Sequence, residues 1–242
     1  DLSQTGTQTI VSGTDDVDTI TKVENVTGGD GNDFIYGKED ANILNGGAGN
    51  DTLRGGAGDD TLNGGTGTTD TADYSHLNTK IEVDLTDVDG DGNNVDNDGE
   101  LGKDNLVNID IIDGTQADDT FVGNSSINTF LGNNGADQIT GLAGVDYLDG
   151  GAGDDTFYAG IDANTDGILE DGDDGADKID GGAGDNDTID YSALSTSVNV
   201  TLNEATVATV AIGGTASDEI KNVENITGGS AADILSGDDK AN

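Results

Sequence analysis

Aspartate recurs at a fixed place in this chain, and its neighbours suggest why. Counting nine residues from Gly28 gives GGDGNDFIY, GKEDANILN, GGAGNDTLR and GGAGDDTLN without a gap, then the less regular GGTGTTDTA. A second run opens at Gly114 with GTQADDTFV, GNSSINTFL, GNNGADQIT, GLAGVDYLD and GGAGDDTFY. After an insertion the register resumes at Gly172 with GDDGADKID and GGAGDNDTI, and a last run opens at Gly228 with GGSAADILS. In the eleven units other than the irregular GGTGTTDTA and GGAGDNDTI, the sixth position carries Asp33, Asp51, Asp60, Asp119, Asp137, Asp146, Asp155, Asp177 and Asp233, with Asn42 and Asn128 as exceptions. Carboxylates and carbonyls at glycine-rich turns are hard oxygen donors. Calcium takes roughly 6–8 such donors in flexible geometry, whereas magnesium demands a near-octahedral set and keeps its waters. Zinc would want His or Cys, and the chain has one His and no Cys. The chemistry these residues suit is calcium binding.

The elements that must position those aspartates follow from the eighth column. In the same eleven units it reads Ile35, Leu44, Leu53, Leu62, Phe121, Phe130, Ile139, Leu148, Phe157, Ile179 and Leu235, apolar every time. A low-complexity linker would share the composition but not a fixed apolar column. Six turn residues followed by a short strand with one inward side chain describe a coil that buries almost nothing alone. Such coils must stack, strand on strand, and the stack brings aspartate turns within about one strand spacing of each other, ~4.8 Å. A cation between the turns removes that repulsion.

Composition sets the same requirement. Only 32% of the 242 residues are hydrophobic and 4% aromatic, 40 are glycine, and 50 acids face eight bases for a net charge of −42. Ordering each residue costs roughly 1–2 kcal/mol of backbone entropy, and the charge opposes compaction. The acids are mostly Asp, with eight Glu among the 50, unlike a generic solubilising surface. Nucleic acid and anionic membranes are disfavoured partners, because no Lys/Arg cluster exists to meet phosphate. No cysteine supplies a staple. Neither a signal peptide nor an apolar span long enough to insert in a membrane is evident. The absence of Met and the start at Asp1 read as a fragment of something longer.

GGAGNDTLR and GGAGDDTLN resemble the RTX (repeats-in-toxin) nonapeptide GGxGxDxUx. The resemblance implies an all-β fold: a right-handed parallel β-roll, or solenoid, in which two nonapeptides make one turn and modules follow in tandem. It further implies that calcium lies between stacked turns, held by turn carbonyls and the position-6 residues Asp33, Asp51, Asp60, Asp119, Asp137, Asp146, Asp155, Asp177 and Asp233. Asn42 and Asn128 supply no charge, so the sites they line are expected to be weak or empty. Members of the family are typically exported unfolded by type I secretion and fold on external calcium, which places this chain outside a bacterium, secreted or at the cell surface.

A longer period encloses the nonapeptides. DTITKVENVTGGDGNDFIYG (18–37), DNLVNIDIIDGTQADDTFVG (104–123) and DEIKNVENITGGSAADILSG (218–237) align without gaps, each setting a strand-like cap before a roll. DTADYSHLNTKIEVDLT (70–86) and DTIDYSALSTSVNVTLN (187–203) align at the exits, where Tyr74 and Tyr191 are expected to pack over the last coil rather than to bind sugar. The expected organisation is a first capped module over 1–103, a second over 104–217 and the start of a third over 218–242. Two interruptions carry the ligand spacing of an EF-hand loop. In 162–173, Asp162, Asn164, Asp166 and Asp173 would give side-chain oxygens and Ile168 its carbonyl. In 87–98 the corresponding residues are Asp87, Asp89, Asp91, Asn93 through its carbonyl, and Asp98.

No constellation for catalysis stands out. His76 is the lone histidine and sits in an exit cap, where a surface role is expected. Paired acids such as Asp59/Asp60 are explained by the repeat. The reading this supports is a structural segment of a large secreted or surface protein, an adhesin or surface-layer protein. Its partners would be calcium, adjacent modules and, as further candidates, surface glycans or other surface subunits. The alternative is a carrier domain appended to a secreted enzyme or toxin.

Overall fold

The computed structural model describes residues 8–9, 25–86, 95–96, 102–159, 176–203 and 206–238. Every regular element among them is a β-strand. All ten expected ligands of the EF-like loops, in 87–98 and 162–173, lie outside the described residues.

Most strands are three residues long because each repeat has only that much chain outside its turn, and the burial alternates so that the middle residue faces in: Thr52–Arg54 and Thr156–Tyr158 are typical. Two compact units result, Asp1–Asp113 and Gly114–Asn242. In the first, Asn25–Thr27, Ile43–Ala48, Thr61–Thr66 and Lys103–Val107 stack in parallel as one sheet. Phe34–Tyr36, Thr52–Arg54, Thr71–Asp73 and Ile111–Asp113 stack as the other. In the second unit, Thr120–Val122, Gln138–Thr140, Thr156–Tyr158, Thr188–Asp190 and Asn225–Thr227 form one parallel stack. Thr129–Leu131, Tyr147–Asp149, Lys178–Asp180 and Thr215–Lys221 form its counterpart. This is a parallel β-roll, built from two short strands per coil.

Register carries the apolar column into the core. Val26 is paired with Leu44 and Leu44 with Leu62, while Phe121, Ile139, Phe157, Ile189 and Ile226 form one continuous line. Leu44, Leu53, Leu62, Phe121, Phe130 and Ile139 are completely buried. The rings of Phe121 and Phe130 stack with centroids 5.2 Å apart, filling the width between the second unit's two sheets. Pairing survives the long insertion, since Leu148 aligns with Ile179 and Phe157 with Ile189 on either side of it. One fully buried Leu per repeat contributes roughly 1.5–3 kcal/mol. That is too little to order eight companions, so the turns must add stability of their own.

The unit boundary falls at Asp113, downstream of the module boundary that the long period suggests. The segment from Gly102 to Asp113 is laid onto the first roll as its last coil: Leu106 pairs with Leu62 and Ile112 with Ala72. In the second unit, Ile220 and Ile226 close the roll in the same way over Ile179 and Ile189. These closing coils lack a glycine-rich turn between their two strands; each instead turns through an asparagine at positive φ, Asn108 at 51° and Asn222 at 52°.

Candidate metal centre

The turns of the stacked coils place position 6 at a strand's entrance, pointing inward and back toward the glycine at position 1. Its carboxylate has two different oxygens. Oδ1 accepts the backbone N–H of the position-6 residue one coil earlier: Asp51 from Asp33 at 2.8 Å, Asp60 from Asn42 at 2.7 Å, Asp137 from Asp119 at 2.7 Å and Asp155 from Asp137 at 2.8 Å. Asp146 accepts from Asn128 at 2.8 Å, and Asp177 from Asp146 at 2.9 Å across the insertion. Each unit thus holds two rows of buried carboxylates, one per sheet.

Oδ2 shows the unusual feature. In Asp51, Asp60, Asp137, Asp146, Asp155 and Asp187 it is buried and has no hydrogen-bond partner. An ionised oxygen in that state is costly, because it has lost water and gained nothing. Burial accordingly pushes the carboxyls up, Asp60 to about 7, Asp137 to about 8, Asp146 to about 7, Asp155 to about 6 and Asp187 to about 7, against the opposing effect of the backbone N–H. Asp51 is raised for the same reason, with Asp70 and Asp33 adding repulsion.

The first coils differ. There the N–H of position 2 turns onto its own position-6 side chain: Gly29 to Asp33 Oδ2 at 2.6 Å, Lys38 to Asn42 Oδ1 at 2.8 Å, Thr115 to Asp119 Oδ2 at 2.6 Å and Asn124 to Asn128 Oδ1 at 2.9 Å. In later coils position 2 adopts positive φ, at Gly47 (114°) and even at Asn133 (75°) and Leu142 (65°). The strained non-glycine residues show that the turn imposes this conformation. The expected ligands therefore fall into sets. Asp51, Asp60, Asp137, Asp146 and Asp155 present an orphaned oxygen; Asp33 and Asp119, like Asn42 and Asn128, are engaged within their own turn. Asp177 sits in its row, and Asp233 accepts the Val198 N–H at 2.8 Å.

Several residues extend the rows beyond the nonapeptide column. Asp70 accepts the Asp51 N–H and Asp187 the Asp155 N–H, both at 2.8 Å. Each lies one place late in its repeat, so the column count skipped it, although both begin the aligned DTADYS and DTIDYS segments. In the closing coils Asp104 accepts from Asp60 at 3.0 Å, Asp110 from Asp70 at 2.8 Å, Asp218 from Asp177 at 3.2 Å and Glu224 from Asp187 at 3.0 Å. Tyr74 and Tyr191 are buried, as expected, and in addition donate their hydroxyls to Asp104 and Asp218. His76 is exposed.

The donor set fits calcium. Orphaned anionic oxygens are hard ligands, and each lies close over the position-1 glycine of its turn: a Cβ on Gly46 would come within 2.1 Å of Asp51 Oδ2, and one on Gly132 within 2.2 Å of Asp137 Oδ2. Among the described residues no group of three or more His, Cys, Asp or Glu side chains gathers in one place. Carboxylates spread singly along a row leave the remaining ligands to turn carbonyls, which calcium accepts and zinc does not.

A family model described as four copies of the RTX calcium-binding nonapeptide repeat matches residues 23–53, 36–69 and 131–166. Residues 23–69 and 131–166 are thus RTX repeats. RTX nonapeptides are calcium-binding motifs, which agrees with the carboxylate rows of the roll. No curated protein matches the chain. Among solved structures, the extracellular lipase LipA from Serratia marcescens is similar at 19% identity and a TM-score of 0.31, over 84% of this chain and 38% of the lipase. The chain thus corresponds to well under half of that protein's length. No helix among the described residues is long and apolar enough to cross a membrane.

Proposed function

We propose that this RTX chain is a calcium-dependent structural segment of a large secreted or surface protein, folding where calcium is plentiful outside a bacterial cell. The observation that carries the reading is the row of buried carboxylate oxygens without partners, Asp51, Asp60, Asp137, Asp146, Asp155 and Asp187. With a net charge of −42, the roll needs positive charge at those atoms to hold its coils together. Calcium supplies that charge and ties turn to turn; Asp51, Asp60, Asp137, Asp146, Asp155 and Asp187 would hold it, with turn carbonyls. Binding to the folded chain alone stabilises it by about 1.4 kcal/mol per site at ten times Kd. Extracellular calcium modules work at Kd around 10⁻⁴–10⁻³ M, so the same chain stays unfolded at cytosolic calcium. Repetition of the roll, with a closing coil on each unit, supports a spacer or scaffold role rather than catalysis.

A calcium titration followed by circular dichroism tests this. The chelated chain is expected to lack β signal and to gain it cooperatively at millimolar calcium, while sodium chloride of equal ionic strength leaves it unfolded. A full β signal after complete chelation would refute the reading.

A further inference from the structure

The two carboxylate rows of each unit end differently. On one side the last acid, Asp110 or Glu224, lies open to solvent or half-buried and meets water. On the other side Asp104 and Asp218 are 3% and 1% exposed, as deep as the aspartates whose Oδ2 is orphaned. Yet both their oxygens are engaged. Asp104 Oδ1 accepts the Asp60 N–H at 3.0 Å and Oδ2 the Tyr74 hydroxyl at 2.8 Å. Asp218 repeats this with the Asp177 N–H at 3.2 Å and the Tyr191 hydroxyl at 2.8 Å. The tyrosines are held by matching backbone bonds: the N–H of Tyr74 donates to Asp113 O and that of Tyr191 to Thr227 O, while their carbonyls accept from Leu77 and Leu194. The same arrangement, made twice from segments far apart in sequence, is a built feature of the closing coil.

We propose that Tyr74 and Tyr191 are positioning residues that end one calcium row in each unit, each giving the last carboxylate a hydroxyl proton where earlier coils leave an oxygen for metal. The proposal rests on the calcium reading above. The row through Asp60 stops at Asp60, and the row through Asp146 and Asp177 stops before Asp218.

The test counts bound calcium on the full chain at saturating calcium and records the calcium midpoint of folding, for wild type, D60N/D146N, D104N/D218N, Y74F/Y191F and the last two combined. Asparagine is an acceptable replacement because Asn42 and Asn128 already occupy the rows. D60N/D146N is expected to lower the count, and D104N/D218N to leave it at the wild-type value. Y74F/Y191F is expected to raise the calcium midpoint by roughly threefold or more, as a buried carboxylate loses its donor. That rise should vanish in the combined variant. A loss of calcium in D104N/D218N as large as in D60N/D146N would overturn the proposal. So would a midpoint shift of equal size with and without Asp104 and Asp218, which would mean that the tyrosines only pack. If Y74F/Y191F does not fold, the count in D104N/D218N decides alone. A wild-type chain that binds no calcium removes the calcium reading and this proposal with it.

Discussion

At the scale of single residues, the carboxylate of an interior coil does two jobs with two oxygens. Oδ1 ties its turn to the coil before, as Asp155 does for Asp137, and Oδ2 is buried without a partner, the atom to which the proposed reading assigns calcium. Without the cation that oxygen favours a proton, and burial raises Asp60, Asp137, Asp146 and Asp187 to about 7 or 8. In the unfolded chain an aspartate titrates near about 3.9. Between those values the calcium-free fold binds more protons than the unfolded chain, so its stability is highest below the unfolded value and falls as pH rises through about 6 to 8. Decalcified protein is therefore expected to gain β signal as pH drops from 8 to 5, and calcium affinity is expected to fall over the same range because protons compete. Circular dichroism against pH in calcium-free buffer checks this; equal disorder at both ends would contradict it. The aspartate column was legible because a nine-residue count keeps Asp51, Asp60, Asp137, Asp146 and Asp155 in phase. Asp70 and Asp187 were not, because one added turn residue moves them out of the column while the strand after them keeps its place.

At the scale of the coil, the apolar eighth column announced the stacking, and Leu44 over Leu62 or Ile139 over Phe157 realises it. What the sequence could not say was which neighbour a segment would stack on. DNLVNIDIIDG aligns with segments that precede rolls, yet Leu106 and Ile112 lie on Leu62 and Ala72 of the roll behind. Nonlocal pairing decides this, and alignment of a chain with itself carries no information about it. The turn makes its own demand on side chains. Gly47 has φ of 114°, and a Cβ there would stand 2.3 Å from Gly29 O of the adjacent coil. Gly47→Ala is expected to cost roughly 1–3 kcal/mol, read as a lower urea midpoint in saturating calcium. Ala48→Gly, at a neighbouring place without that φ, provides the comparison and should shift the midpoint less.

At the scale of the whole molecule, a net charge of −42 and a 32% hydrophobic composition describe a chain that its apolar core alone does not hold together. The roll gathers that charge into rows of buried carboxylates, and on the proposed reading calcium turns the charge opposing compaction into the means of it. Each of the two units carries its own rows and its own closing coil, so each is expected to take up calcium through its own residues. The most direct measurement is bound calcium per chain by equilibrium dialysis, together with the β signal, for wild type and for the variant D51N/D60N/D137N/D146N/D155N/D187N. Wild type is expected to bind several ions and fold, while the variant binds few and stays disordered at calcium that saturates the wild type. A variant that binds as much calcium as wild type would contradict the assignment of these carboxylates as the metal-holding groups.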